Sequence, residues 1–127
     1  MFKVLVADDD RFIRQLLRET LEEANLEIQV VESGGEVLRR ILKQKFHILF
    51  LDIYMAGLDG LDVIPLVKEI DPELPIVVIT GDTSATIRHR TRALGADYHL
   101  TKPLDPGEVK NLVKHVLQTG IFNHENR

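Results

Sequence analysis

The sequence of 127 residues contains no cysteine, and this absence removes several kinds of chemistry at once. Disulfide bonds, thiol catalysis and cysteine metal sites are all excluded. Long apolar runs are also missing. None is long enough to span a bilayer, and the first ten residues, MFKVLVADDD, hold too short an apolar run for a signal peptide. We therefore expect a cytoplasmic protein that makes no membrane contact.

The chain also has no excess of positive charge, since its formal net charge is -4 at pH 7. Contacts from lysine and arginine to phosphates supply most of the affinity for nucleic acid, so we expect no direct nucleic-acid contact by this chain. The composition, 44% hydrophobic and 28% charged residues, is that of an ordinary soluble protein, and the length suits one domain with a real core.

Apolar runs typical of buried strands alternate with segments of helical periodicity. The predicted strands are 4–7, 28–31, 48–51, 76–79 and 98–100. The predicted helices are 11–24, 35–44, 61–70, 84–94 and a fifth from about 105 to about 120. Five such units in a row indicate an α/β fold with a parallel sheet, helices on both faces and right-handed crossovers.

Helix faces and helix ends are predicted in more detail. The inward-facing residues of the first two helices are Ile13, Leu16, Leu17, Leu21, Val37, Leu38, Ile41 and Leu42. Capping signals stand at Ser33 with Glu36 and at Asp105 with Pro106 and Glu108, and Gly95 ends the fourth helix. A domain over 1–120 follows, with 121–127 as a tail or the start of a linker.

Polar residues follow four of the strands, and this is where a parallel sheet of this kind holds its ligands. They are Asp8, Asp9 and Asp10 after the first strand, Asp52 after the third, Thr80, Gly81 and Asp82 after the fourth, and Thr101, Lys102 and Pro103 after the fifth. Two carboxylates about 4 Å apart repel by roughly 4 kcal/mol at an effective dielectric near 20. A hard dication and an ammonium would relieve this repulsion, and oxygen-only ligands favour magnesium, manganese or calcium.

Four motifs in order carry a resemblance to a known family: VLVADDD, LDIYMAGLDG, VVITGD and GADYHLTKPL. The chain resembles, over roughly residues 3–118, the response-regulator receiver domains of two-component signalling. The resemblance implies a doubly wound, five-stranded parallel sheet in strand order 2-1-3-4-5. With five helices it would form a flavodoxin-like, three-layer α/β/α sandwich.

The resemblance also implies a role for the acids. Asp52 looks like the residue that accepts a phosphoryl group from a phosphohistidine on a partner kinase. Asp8 and Asp9 look like the pair that holds Mg²⁺ together with Asp52, and Tyr54 is counted among the metal-binding positions.

The remaining polar residues would contact the phosphoryl group or respond to it. Thr80 looks like the hydroxyl that senses the phosphate, Gly81 would offer its amide, and Lys102 would pair with the phosphate. Thr80 and His99 would form the switch pair, and Pro103 would follow a cis peptide bond. The partners implied are a sensor histidine kinase or phosphotransfer protein and an output domain or target, with a homodimer through helix four, strand five and helix five as a further expectation.

Two departures from the family pattern stand out. Ala56 and Gly57 follow the methionine where the family usually has proline, so the loop after Asp52 is expected to be looser. His99 stands three residues before the lysine, where tyrosine or phenylalanine is usual.

Alternatives remain for the motifs and for the function. The run DDD could simply cap a helix, and LDG could be no more than a turn signal. RHRTR at 88–92 is interpreted as the solvated face of its helix, and it could equally be part of a contact surface. A magnesium-dependent phosphohydrolase that uses an aspartyl phosphate is a second function, although Tyr54 stands where such an enzyme would need a second acid. A receiver-like interaction module without phosphorylation is a third.

Overall fold

The computed structural model describes residues 2–22, 26–55 and 60–125, with the backbone alone from residue 119 onward. Its strands are β1 (Phe2–Ala7), β2 (Leu26–Val31), β3 (Ile48–Asp52), β4 (Ile76–Thr80) and β5 (Tyr98–Thr101). Its helices are α1 (Arg11–Thr20), α2 (Gly34–Lys43), α3 (Gly60–Ile70), α4 (Ala85–Leu94) and α5 (Pro106–Glu125). The predicted alternation of strands and helices is confirmed.

The strands pair in parallel in the order β2-β1-β3-β4-β5, which is the doubly wound order that the resemblance implied. The strand order reverses between β1 and β3, where a crevice forms beyond the strand ends. The register pairs Ala7 with Leu51, so Asp8 leaves β1 directly beside Asp52 at the end of β3.

Two apolar clusters cover the two faces of the sheet and make the three layers. One cluster packs α2 and α3 against the sheet, through residues such as Val37 and Val63, and partly buried residues of α4 join it. The other packs α1 and α5, through residues such as Leu17 and Val113. Every residue of β3 is buried, which explains why its first four residues are all apolar rather than alternating with polar ones.

Most of the predicted helix ends are confirmed. The Ser33 hydroxyl accepts from the Glu36 amide at 3.3 Å, and the Asp105 carboxylate accepts from the Gly107 amide at 3.2 Å. Gly95 ends α4 with φ of 123°, a conformation that glycine adopts without strain.

Three expectations on the helices were wrong. Leu42 is 68% exposed, because Val37 and Ile41 lie one turn apart on the buried side of α2 and the next residue turns away by about 100°. Helix α1 ends at Thr20 rather than near residue 24, and residues 23–25 lie outside the described part. Helix α5 runs on to Glu125, since Gly120 weakens a helix without having to end it.

No helix in the described part of the chain is both long enough and apolar enough to cross a membrane.

Gly60, in the segment expected to be only a turn, begins α3 in close contact with the strand that ends on Asp52. Its amide donates to the Ile53 carbonyl at 3.1 Å. A Cβ at this position would lie 2.4 Å from the Ile53 Cα and 2.9 Å from the Asp52 carbonyl oxygen. The backbone of Asp52 and Ile53 therefore requires glycine here.

We predict that Gly60→Ala lowers the free energy of unfolding by about 2 kcal/mol or more, because backbone atoms must move to admit the methyl group. Gly81→Ala is the matched control, since a Cβ there meets nothing within 4 Å, and its change should stay within about 0.5 kcal/mol. Urea denaturation of both variants measures the difference. Equal stability of the two variants would contradict the contact at Gly60.

Candidate functional site

Two carboxylates and one ammonium meet at the switch point of the sheet. Asp8 and Asp52 are 0% and 3% exposed, so the sheet hides both acids almost completely from solvent. Lys102 follows β5, and its Nζ atom lies 3.3 Å from Asp8 Oδ2 and 3.2 Å from Asp52 Oδ2. One lysine thus bridges two buried acids that reach it from different strands.

Asp9 completes an acidic cluster, while Asp10 does not belong to it. One carboxylate oxygen each from Asp8, Asp9 and Asp52 lies within 4.8 Å of the others. Asp9 is exposed, so the cluster opens to solvent on its side. Asp10 caps α1 by accepting from the Phe12 amide at 2.9 Å. The capping interpretation of the run DDD is therefore right for its third acid.

The electrostatics of the cluster show an unmet need for positive charge. Burial raises the pKa of Asp8 to about 6, with a further rise from the charge of Asp52, although the hydrogen bond from the Asp10 amide opposes this. Burial alone would lower the pKa of Lys102, but the charges of Asp52 and Asp8 outweigh it and the pKa is raised. Lys102 therefore stays protonated and offsets only part of the acidic charge.

The donor set fits a hard divalent cation. Within the described residues, the buried Oδ2 atom of Asp8 has no hydrogen-bond partner, although the Lys102 ammonium is near. A buried carboxylate oxygen without a hydrogen bond is costly, and a second cation beside Lys102 would lower that cost. The cluster offers only carboxylate oxygens, which suits Mg²⁺ better than zinc.

Backbone and hydroxyl groups hold the rim of the site. The Tyr54 amide donates to Asp52 Oδ1 at 2.9 Å, which fixes the orientation of that carboxylate. Thr80, at the end of β4, accepts through Oγ1 from the Asp82 amide at 3.0 Å. The Lys102–Pro103 peptide bond is cis, as the resemblance implied.

Asp82 is a rim residue for which sequence reasoning found no role. Its carboxylate accepts from the Ser84 amide at 2.9 Å and from the Tyr54 hydroxyl at 3.2 Å. Hydrogen bonds from the backbone of Ser84 and from the side chains of Ser84 and Tyr54 lower the pKa of Asp82. The only sequence signal was its place directly after Thr80-Gly81.

His99 turns from β5 toward α4, on the opposite side of the strand from its chain neighbours Tyr98 and Leu100. Its Nε2 atom is hydrogen-bonded to the hydroxyl of Thr91, which is fully buried and also lies within hydrogen-bonding distance of the Ile87 and Arg88 carbonyls. Which of the two groups donates in this contact depends on the tautomer of the imidazole. Burial lowers the pKa of His99, and the charges of Arg88 and Arg92 lower it further.

Comparison with known proteins decides the family. The model of the response regulator receiver domain matches residues 4–114 of this chain. The chain belongs to this family. It is the receiver domain of a two-component response regulator, and its sequence and its fold are similar to those of its relatives.

Two of the similar curated proteins come from Bacillus subtilis. The transcriptional regulatory protein ResD is 34% identical over 95% of this chain and 52% of its own length. The alkaline phosphatase synthesis transcriptional regulatory protein PhoP is 31% identical over 91% of this chain and 48% of its own length. The receiver domain thus spans about half the length of these relatives.

Solved structures agree with the fold. The chemotaxis protein CheY4 of Vibrio cholerae has a TM-score of 0.85 with this receiver domain at 30% identity, covering 91% of this chain and 98% of that one. NtrX of Brucella abortus reaches a TM-score of 0.88 at 28% identity, covering 97% of this chain and 29% of its own.

The structure brings together most of the residues that the sequence singled out. Asp8, Asp9, Asp52 and Lys102 form one cluster, and Thr80 and Tyr54 stand at its rim. His99 does not join this cluster, and its ring contacts Thr91 of α4 instead. Ala56 and Gly57, where the chain departs from the family pattern, lie outside the described residues.

We predict that Asp8→Asn raises the stability of the receiver domain in metal-free buffer. Because the pKa of Asp8 is raised from 3.8 to about 6, the metal-free wild type should lose stability as the pH rises through that window, and the variant should not. At pH 8 we expect a gain of at least about 1 kcal/mol, or a few degrees in Tm. Thermal unfolding between pH 4 and 8 measures it.

Asp9→Asn is the matched variant. Because Asp9 is exposed, this substitution should raise the stability in metal-free buffer by less than Asp8→Asn does. Both variants should lose most of the increase in Tm that Mg²⁺ gives the wild type. A metal-free Asp8→Asn protein less stable than the wild type at pH 8 would contradict the electrostatic account.

A separate prediction concerns His99, which should titrate below its ordinary pKa of 6.5. The folded state then binds a proton at His99 less readily than the unfolded state does. The contribution of His99 to stability is therefore complete above about pH 6.5 and is lost as the pH falls below that value. NMR titration of the ring measures the midpoint, with a peptide of residues 97–101 as the unfolded reference. Arg88→Gln should raise the midpoint by removing a positive charge, and a midpoint equal to that of the peptide would contradict the buried setting.

Proposed function

We propose that Asp52 of this receiver domain accepts a phosphoryl group from a phosphohistidine of a sensor histidine kinase or phosphotransfer protein. The observation that carries the proposal is the position of Asp52, a buried carboxylate at the end of β3 with Lys102 Nζ 3.2 Å from one of its oxygens. A buried acid is costly to a fold, and it is expected where chemistry needs it.

In the proposed transfer, a carboxylate oxygen of Asp52 attacks phosphorus in line with the bond to the donor imidazole. The new carbon–oxygen–phosphorus linkage is an acyl phosphate, the nitrogen–phosphorus bond breaks, and its electron pair stays on the imidazole, which takes a proton from solvent. The Tyr54 amide holds Oδ1 while Lys102 faces Oδ2, so the carboxylate cannot rotate freely. This orientation reduces the entropic cost of the attack.

The acidic cluster would hold Mg²⁺ through Asp8, Asp9 and Asp52, with Tyr54 as a further metal-binding position. When bound, the ion supplies positive charge next to the incoming phosphoryl oxygens. Removing one acid by substitution relieves repulsion but also removes a ligand, so the affinity for Mg²⁺ should fall while the stability without metal rises.

Thr80, Gly81 and Lys102 would share the remaining charge of the phosphoryl group. The Thr80 oxygen already accepts from the Asp82 amide, which leaves its own hydrogen to be donated toward Asp52. Gly81 follows at once and has open space above its Cα, so its amide can be approached closely. The Lys102 ammonium is already between the two buried acids.

We further propose that phosphorylation moves Thr80 inward and changes the environment of His99, and so alters the face formed by α4, β5 and α5. An output domain or target would recognise that face, and a homodimer through it is a further proposal. The domain would act in the cytoplasm, where kinases have ATP, and would catalyse its own phosphorylation and dephosphorylation rather than turn over a separate substrate.

We predict that Asp52→Asn abolishes labelling of the protein by acetyl phosphate and Mg²⁺ while the fold is kept. The reason is that an amide offers no nucleophilic carboxylate, although it keeps nearly the same shape. Phosphate-affinity electrophoresis or mass spectrometry measures the labelling, and circular dichroism checks the fold. Asp71→Asn is the control, an acid that caps a turn after α3 and should label as the wild type does.

Equal labelling of Asp52→Asn and the wild type would disprove the assignment of the acceptor. Labelling that needs no Mg²⁺ would leave Asp52 as acceptor and contradict the role of the acidic cluster.

A further inference from the structure

A cleft lies between helix α1 and Glu32, the residue that follows β2. Its volume is about 550 Å³, which is within the range of small-molecule sites. The residues that line it are Arg11, Arg14, Gln15, Arg18 and Glu32. None of them belongs to the acidic cluster of Asp8, Asp9 and Asp52. The cleft is therefore a feature of the surface separate from the site of the acceptor.

Three arginines line the α1 side of the cleft because they are spaced three and four residues apart. Arg11, Arg14 and Arg18 lie on one face of α1, with Cα atoms roughly 4.5 and 6 Å apart along the helix axis. The exposed Phe12 lies about 200° around the helix from Arg14 and does not line the cleft. This face of α1 is thus cationic along two turns.

The cleft carries an excess of positive charge. Glu32 is the acid among its described lining residues, and its carboxylate accepts from Arg14 Nη1 at 2.9 Å. In the part of the chain that the structure describes, neither Arg11 nor Arg18 forms an ion pair with an acid. Like charges three and four residues apart destabilise a helix, so the folding of α1 does not favour this arrangement. An anion in the cleft would offset the repulsion.

Arg14 is the most firmly held of the three cations. Its side chain is 19% exposed, and the ion pair with Glu32 fixes one end of its guanidinium group. Among the described residues, the buried Nε atom of Arg14 has no hydrogen-bond partner. A buried donor without an acceptor is costly. A small shift of the guanidinium toward an oxyanion in the cleft would give this donor an acceptor.

We propose that this cleft binds a small anion that carries two or more linked phosphate groups. Arginine pairs with phosphate through two parallel N–H···O bonds, and three arginines in a row can each contact different oxygens of such an anion. None of the described residues that line the cleft is apolar, so the phosphates are the group that is recognised. The inference does not depend on the proposed role of Asp52.

The first test titrates the protein with tripolyphosphate in EDTA, so that no metal at the acidic cluster contributes. NMR of the arginine side chains should show a saturable shift of the Arg14 Nε–H signal. Arg11→Gln and Arg18→Gln should each raise the dissociation constant about three- to tenfold, since each removes a charge-assisted contact. Arg90→Gln is the matched control, because Arg90 is an exposed arginine of α4 outside the cleft and should not change it.

A second test uses the acid of the cleft and predicts the opposite sign. Glu32→Gln removes the negative charge but keeps an oxygen that can accept from Arg14, so it should lower the dissociation constant about threefold. Glu69→Gln is the control, since Glu69 is an exposed acid of α3 outside the cleft. Equal effects of the two substitutions would show attraction by net charge alone and would overturn the proposal.

ATP separates recognition of the phosphates from recognition of a nucleoside. It carries three linked phosphates like tripolyphosphate, so the two dissociation constants should agree within about threefold. ATP that binds more than about tenfold more tightly would place the recognised group in the nucleoside and would overturn the proposal. The absence of a saturable shift at Arg14, or a loss of affinity in Arg90→Gln equal to that in Arg11→Gln, would overturn it as well.

Discussion

Repulsion among the carboxylates at the carboxyl ends of β1 and β3 is the constraint on which the rest of this receiver domain depends. Asp8 and Asp52 are almost fully buried, yet both come from the interior of the sheet, where an unpaired charge is costly. The fold tolerates them because Lys102 reaches both from β5 and because backbone amides of Asp10 and Tyr54 donate to them. The charge that remains creates the demand for a cation.

Precision at this site comes from the sheet rather than from the loops. Ala7 is paired with Leu51 and Asp52 with Ile79, so the ends of three strands are held at fixed distances by backbone hydrogen bonds. Gly60 extends this control into the loop after Asp52, since its backbone lies against Ile53 where no Cβ could fit. The side chains that face Asp52 are therefore close enough to contact one another.

Helix α4 is attached to the core with less apolar burial than its neighbour α3. Helix α4 has Thr91 as its buried residue, a polar side chain, and the partly buried Ile87 and Leu94 complete its contact with the core. Its arginines are exposed, and His99 holds it to β5 through Thr91. A helix with so little apolar burial can shift at a lower cost than α3, which buries Val63, Ile64 and Val67.

The sequence by itself determined the class of fold, the strand order through a family resemblance, and the identity of the acids, the hydroxyl and the lysine at one edge of the sheet. It could do so because periodicity and strand-end chemistry are local properties. It failed at Leu42, because the angular position of this residue on α2 turns it to solvent. It also failed at Gly120, because this glycine lies within α5 and does not end the helix. Only the tertiary structure brought Asp8 and Asp9 within 4.8 Å of Asp52, and only it joined Asp82 to Tyr54 across two loops. Both outcomes depend on distances between residues far apart in the chain, and those distances exist only once the sheet has closed.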